Sequence, residues 1–464
     1  MAENTHLLYS DFISEYRNNE IYDLLDDKVD QYIDKMDYKV IVLDDDPTGT
    51  QTVHSIPVYT EYDDKAINHV FMEESKTVYI LTNSRAMTES QTEILHLKIG
   101  QTIEKIARIH EKKYLIISRG DSTLRGHYPL ELESLYKARP VYEGEILIPA
   151  FFEGNRYTCN DVHYIKKGEY LVPVNETEFA DDKTFGFENA HLPSYIKEKS
   201  ERKIDDQDII SISIEELRMK KIAEIKKKLT SNSSYKRIIV NALNENDLKI
   251  FLIAFFELDS HNYLFRTAAS FVKIISGVKA RSFMEPPLSN RKGLMLVGSH
   301  VDMTTKQLHY LMNHEKNLST IELNVNSLKS KESIKEELNN IVDFYEGSND
   351  DVCIYTSREY VKPDNTELSE LEFSVGVSEA LVEIVKNIST PPRFILSKGG
   401  ITSSDIAVKS LNIYRALVLG QIEKGISVWK PDSDSKFPDT PYIIFPGNVG
   451  EEETLFNVYQ KIKR

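Results

Sequence analysis

The sequence predicts an α/β protein made of two α/β domains with a cleft between them. Two observations carry this. From Tyr38 onward, short apolar strands alternate with charged, helix-periodic segments, the pattern of a mostly parallel sheet covered by helices. That pattern breaks at Glu285, Pro286 and Pro287 and restarts at Leu294, and prolines punctuate a chain between elements. A chain of 464 residues has room for roughly two to three such units.

Residues 1–37 read as an N-terminal helical extension. Leu7, Leu8, Phe12, Tyr16, Ile21, Leu24 and Leu25 recur there at helical spacing among acids and amides. The expectation is one or two amphipathic helices packed on the body, or an oligomer contact. Residues 38–284 form the first α/β domain. Its strands are KVIVL after Tyr38, VYILT (78–82), YLIIS (114–118) and EILIPA (145–150), with helices over 91–110 and 128–137. The charged segment 215–230, EELRMKKIAEIKKKLT, reads as a helix with a solvated lysine face. Residues 285–292 are the linker, and 293–464 the second domain. Its strands are LMLVGS (294–299), VCIYT (352–356), FILSKGG (394–400) and YIIFPG (442–447), with helices near 304–314, 331–344 and 373–386.

Composition narrows the function classes. Hydrophobic residues at 41% and charged ones at 28% suit a soluble globular protein. The formal net charge of -16 argues against nucleic acid or an anionic membrane as the main partner, and leaves a small anionic substrate open. The longest apolar run, 251–256, is too short to span a bilayer. Cys159 and Cys353 lie far apart with no metal spacing around them. With no signal-peptide pattern at the N-terminus, a reducing cytoplasm is the expected location.

Three stretches carry chemistry in the first domain. The strand KVIVL runs into Asp44, Asp45 and Asp46, and Pro47, Thr48 and Gly49 then turn the chain. Strand C-termini face the crevice where α/β sheets bind ligands. Three adjacent carboxylates repel one another, so they make sense beside a cation, a sugar hydroxyl or a transferring phosphate. The second stretch, SRGDSTLRGHY (118–128), gathers Arg119, Asp121, Ser122, Thr123 and Arg125 around two glycines. Arginine pairs with a carboxylate through two parallel hydrogen bonds, and the hydroxyls suit a polyol. An internal Arg–Asp pair is the structural alternative. The third, PAFFEGNRYTCNDVHYI (149–165), offers Arg156, Thr158, Asn160 and His163. His163 reads as a hydrogen-bonded structural residue rather than a general base.

In the second domain, glycines stand at three strand ends: Gly298-Ser299, Gly399-Gly400-Ile401-Thr402, and Gly447-Asn448-Val449-Gly450. Glycine lets backbone N–H groups approach phosphates closely. Neither a Walker loop nor a GxGxxG fingerprint is present. An anion-binding polyol site in one domain and a phosphate cradle in the other suit phosphoryl transfer.

These motifs resemble those of the four-carbon acid sugar kinases. The D-D-x-T-G motif matches Asp45, Asp46, Thr48 and Gly49. K-x-D-S-T-L-R-G matches residues 119–126, with Arg119 in place of lysine. P-A-F matches 149–151, with Asn155 interrupting the G-R pair that follows, and R-x-A-x-S-F looks like 266–271. G-S, G-G-x-T and G-N-x-G match 298–299, 399–402 and 447–450. The resemblance implies an N-terminal acid-sugar domain and a C-terminal nucleotide domain using ATP and Mg2+. Asp45 or Asp46 would accept or orient the attacking hydroxyl. Arg125, and with it Arg119, would hold the sugar carboxylate, aided by Asp121 and Ser122. The loops bearing Gly298, Ser299, Gly399, Gly400, Thr402, Gly447, Asn448 and Gly450 would take the phosphates. A homo-oligomer is compatible with this reading. Two alternatives stand beside it. Asp44-x-Asp46-x-Thr48 imitates the first motif of haloacid-dehalogenase-type phosphatases, and a sugar-acid sensor would keep the fold without turnover.

Overall fold

The computed structural model describes residues 7–15, 23–201, 204–230, 235–279, 281–284, 290–325, 331–358 and 370–463. Glu285, Pro286, Pro287 and Leu288 of the expected linker lie outside these, as do residues 1–6 and 16–22 of the extension. The chain divides into two compact units. The first comprises Met1–Asp45 and Glu61–Ala280, the second Asp46–Thr60 and Arg281–Arg464. The crossing from first to second falls on the peptide between Asp45 and Asp46, inside the aspartate run.

The sheet of the first unit has seven parallel strands. Their order is Ile209–Ile212, Lys236–Val240, Gly144–Ile148, Tyr263–Thr267, Lys113–Arg119, Tyr38–Asp44 and Thr77–Leu81. Val40, Ile41, Val42 and Leu43 are all buried, as are Ile116 and Ile117 beside them. Continuous apolar strands of this kind are what a sheet covered on both faces requires. Helix Glu89–Ile109 begins at a capping box in which Thr88 and Gln91 satisfy each other's end of the turn. The charged segment at 215–230 is two helices, Ile214–Arg218 and Ile222–Leu229, parted at Lys220, whose φ is +51°.

A four-stranded antiparallel sheet accompanies this unit, in the order Leu7–Leu8, Tyr170–Pro173, Val162–Lys167 and Arg156–Cys159. The extension closes it. Phe12, on helix Tyr9–Glu15, is buried with Tyr157 and Tyr164. Helix Asp23–Lys35 buries Leu25, Val29 and Ile33.

The second unit holds eight strands. In order they are Ile56–Tyr59, Arg415–Glu423, Ile426–Pro431, Tyr442–Phe445, Ile395–Lys398, Leu294–Val297, Asp351–Thr356 and Leu318–Leu323. The first three junctions are antiparallel and the last four parallel. The borrowed segment is anchored at Thr50. The indole of buried Trp429 donates to its hydroxyl at 2.9 Å, and that hydroxyl lies 3.2 Å from Ser427 Oγ. No helix among the described residues is long and apolar enough to cross a membrane.

Candidate functional site

The aspartate run ends the strand Tyr38–Asp44, and the neighbouring strand places Arg119 opposite Asp44. Asp44 and Asp45 are each 2% exposed and Arg119 is 3% exposed. Arg119 Nη1 lies 3.5 Å from Asp44 Oδ1 and 3.9 Å from Asp45 Oδ1. Arg85 holds Asp45 with two further bonds, Nη2 to Oδ1 at 2.7 Å and Nε to Oδ2 at 3.2 Å. This fork fixes the orientation of the carboxylate. Arg85 stands on the short turn Ser84–Ala86 after strand Thr77–Leu81, and its Nη1 lies 3.9 Å from Asp121 Oδ1. Burial pushes the Asp45 carboxyl up from its usual range, and Arg85 and Arg266 pull the other way.

The 119–126 loop is knit by its own charges. Asp121 accepts from Arg125 Nε at 2.9 Å and from the Thr123 hydroxyl. Arg125 Nη1 also reaches Asp182 at 3.3 Å, and its guanidinium lies over the Phe179 ring. Burial would raise Asp121, but Arg85 and Arg125 outweigh it and hold the carboxyl well below its usual range. Beneath the loop, Arg266 pairs with Glu131, and Ser118 and Ser84 complete the carboxylate's shell at 2.6 and 2.8 Å. Burial works to raise Glu131, but Arg266, His96 and the Ser118 and Ser84 hydroxyls together outweigh it and hold the carboxyl below its usual range. Both glycines of the loop serve this arginine. A side chain at Gly120 would fall on its guanidinium, and one at Gly126 would stand 2.8 Å from Nη2. The void lined by Asp121, Leu124, Tyr128, Tyr195, Arg266 and Thr267 is about 10 Å³, too small for a sugar.

His163 supports the loop from the small sheet. The Ser122 carbonyl can only accept, so His163 Nε2 donates to it, at 2.8 Å, and the Thr158 hydroxyl donates to Nδ1 at 2.9 Å. Burial lowers His163 to about 4, which keeps the ring neutral at pH 7. It is the hydrogen-bonded structural residue expected from the sequence.

In the second unit, the three glycine loops follow adjacent parallel strands and interlock. Thr402 Oγ1 occupies the space a side chain at Gly298 would need, and Ser299 Oγ stands 2.5 Å from where a Gly447 Cβ would be. The Thr304 hydroxyl ties two loops together, with Ser299 Oγ at 3.2 Å and the Gly447 carbonyl at 2.8 Å. Gln307 holds the 447–450 loop as well, through the Val449 and Glu451 carbonyls. Gly399 adopts φ +126°, and helix Gly400–Asp405 starts directly after it. Asp46 approaches here. Its Oδ1 caps the turn Pro47–Thr50 through the Thr48 amide at 2.7 Å, and its Oδ2 lies 3.2 Å from where a Gly400 Cβ would be. Lys398 is fully buried under these loops, donating to the Pro446 carbonyl at 3.1 Å, and burial lowers its amine to about 6.

Two family models cover most of the chain. A sugar-binding N-terminal domain matches residues 40–275, and a nucleotide-binding C-terminal domain matches 294–455. The chain belongs to the four-carbon acid sugar kinase family. Solved structures resemble this family member at the level of fold. A Salmonella typhimurium LT2 protein provisionally called a tRNA synthase is 15% identical, with a TM-score of 0.68 over 92% of this chain and 100% of its own. A Haemophilus influenzae protein is 16% identical, with a TM-score of 0.62 over 91% and 100%. Curated proteins offer no match to this chain.

In this family member, the expected residues fall into two groups. Asp45, Arg119, Asp121, Ser122 and Arg125 converge in the first unit. Asp46, Gly298, Ser299, Gly399, Gly400, Thr402 and Gly447 converge in the second, with Asn448 and Gly450 exposed on the same loop. Arg119 is turned inward to the aspartates. Arg85, Glu131 and Thr304 were not singled out from sequence. Arg85 follows a strand, so the strand-end rule reaches it. Glu131 and Thr304 sit within helices and carry no such signal.

Proposed function

We propose that the protein is an ATP-dependent kinase that phosphorylates a hydroxyl of a small, four-carbon acid sugar. The observation that carries this reading is the union of a sugar-binding and a nucleotide-binding domain in one chain. ATP is assigned in this reading to the glycine loops, which close on one another where side chains are absent. Among the described residues no cluster of three His, Cys, Asp or Glu is built to cage a metal. Mg2+ that arrives with ATP needs no such cage, since phosphate and water fill most of its shell, and it neutralises charge on the transferring phosphoryl group.

Asp46 is the proton acceptor in this proposal. It is partly exposed, adjoins Gly400, and is positioned by the Thr48 amide. Asp45 orients rather than reacts, since Arg85 engages both of its oxygens. The phosphatase alternative needs Asp44 as nucleophile, yet that carboxylate is 2% exposed beside Arg119.

The test is a pair of variants assayed for phosphoryl transfer. Asp46→Asn is expected to lower turnover by about 10²- to 10⁴-fold with ATP affinity little changed, as for loss of a general base. Asp45→Asn is expected to lose less. Unchanged turnover in both would overturn the assignment.

A further inference from the structure

Five arginines surround the sugar-side loop, and four of them face carboxylates. Arg85 holds Asp45, Arg119 faces Asp44, Arg125 pairs with Asp121 and Asp182, and Arg266 pairs with Glu131. Arg156 is different. Its Nη1 donates to the Gly154 carbonyl, its Nε is buried without a hydrogen bond, and no ion pair to it occurs among the described residues. Desolvation lowers its pKa against the pull of Asp121 and Glu178, and Arg125 adds to the lowering. A partly buried guanidinium without an ion pair is costly, and an anionic ligand lowers that cost.

The local fold aims this residue at the loop. Arg156 and Thr158 lie two apart on strand Arg156–Cys159, so their side chains share a face. Thr158 meets His163, and His163 holds the Ser122 carbonyl, so that face is turned toward residues 121–125. Arg156 accordingly feels the charges of Asp121 and Arg125. The guanidinium is steadied by Gly154, whose lack of a side chain leaves room for Nη1, and it lies 6.0 Å from the centre of the Phe151 ring. It is held in place before any ligand arrives.

We infer that Arg156 is the residue that receives the carboxylate of the acid sugar, in place of the charge-neutralised Arg119 and Arg125. The inference rests on the kinase reading only in taking the ligand to be a sugar acid. It makes Arg156 the origin of the preference for an acid over a neutral polyol of the same length.

The test titrates threonate and erythronate, with threitol and erythritol as their uncharged counterparts, into wild-type protein, Arg156→Gln, Arg156→Lys and Arg125→Gln by calorimetry. Wild type is expected to favour at least one acid over its polyol by on the order of 10- to 100-fold, the worth of a charge-assisted hydrogen-bond pair. Arg156→Gln should erase that preference while ATP binds as before. Arg156→Lys should keep part of it, since the charge remains and the fork is lost. Arg125→Gln should retain more of it than Arg156→Gln. An acid preference intact in Arg156→Gln, or wild-type protein that binds neither acid, overturns the inference. Acid binding that depends on Arg156 without ADP formation would instead sink the kinase reading and leave this assignment standing.

Discussion

Burial keeps His163 neutral, which leaves Nδ1 free to accept from the Thr158 hydroxyl while Nε2 donates to the Ser122 carbonyl, and this ties loop geometry to pH. Its folded pKa is about 4, below the ordinary histidine value of 6.5. The unfolded chain therefore takes up a proton below 6.5 that the folded protein refuses until about 4. The contribution is complete above pH 6.5 and is lost as pH falls toward 4, by up to about 3 kcal/mol. His163→Gln keeps a donor for Ser122 and removes the titration. The drop in unfolding midpoint between pH 7 and 4.5 should be smaller in the variant than in wild type. An identical drop would show that His163 does not carry this dependence. The aspartates of the site were legible in the sequence because they are adjacent and follow a strand. Their partners were not, since Arg85 lies 40 residues from Asp45 and Arg266 lies 135 from Glu131. Arg119 was read as a substrate clamp because sequence does not give strand register. In the structure, that register sets it opposite Asp44.

The interlocked loops make a prediction at the scale of elements. A methyl group at residue 447 would stand 2.5 Å from Ser299 Oγ, so Gly447→Ala must displace one loop from the other. The expected outcome is a rise in the KM for ATP of about 10- to 100-fold, as for a displaced binding loop, with acid-sugar affinity unchanged in direct titration. An unaltered ATP KM would remove these loops from the nucleotide site. The parallel strands behind the loops were legible because buried parallel strands are short, continuous apolar runs. The antiparallel strand Arg415–Glu423 has a different signal, an alternation in which Ala416, Val418 and Ile422 point inward. That period of two is present in the sequence. The break at Lys220 has no glycine or proline to announce it, so one helix was expected where two occur.

At the scale of the molecule, two α/β units and their family-level roles were legible from composition, alternation and strand-end motifs. The path between the units was not. The proline pair marks one cut, and the second unit also takes Asp46–Thr60, held by Trp429 and by pairing with the strand Arg415–Glu423. Such an exchange depends on contacts between segments more than 350 residues apart, as for Thr50 and Trp429, which are separated by 379. It places Asp45 in the first unit and Asp46 in the second, while the sugar-binding family model spans both residues. The most direct measurement is ADP formation from ATP and Mg2+ in the presence of threonate, erythronate or 3-oxotetronate, with the acid product identified by mass. The account predicts ADP matched by a phosphorylated acid for at least one of them, and none with the corresponding tetritols. No ADP with any of the three acids, or phosphate released from a phosphorylated sugar acid without ATP, would contradict it.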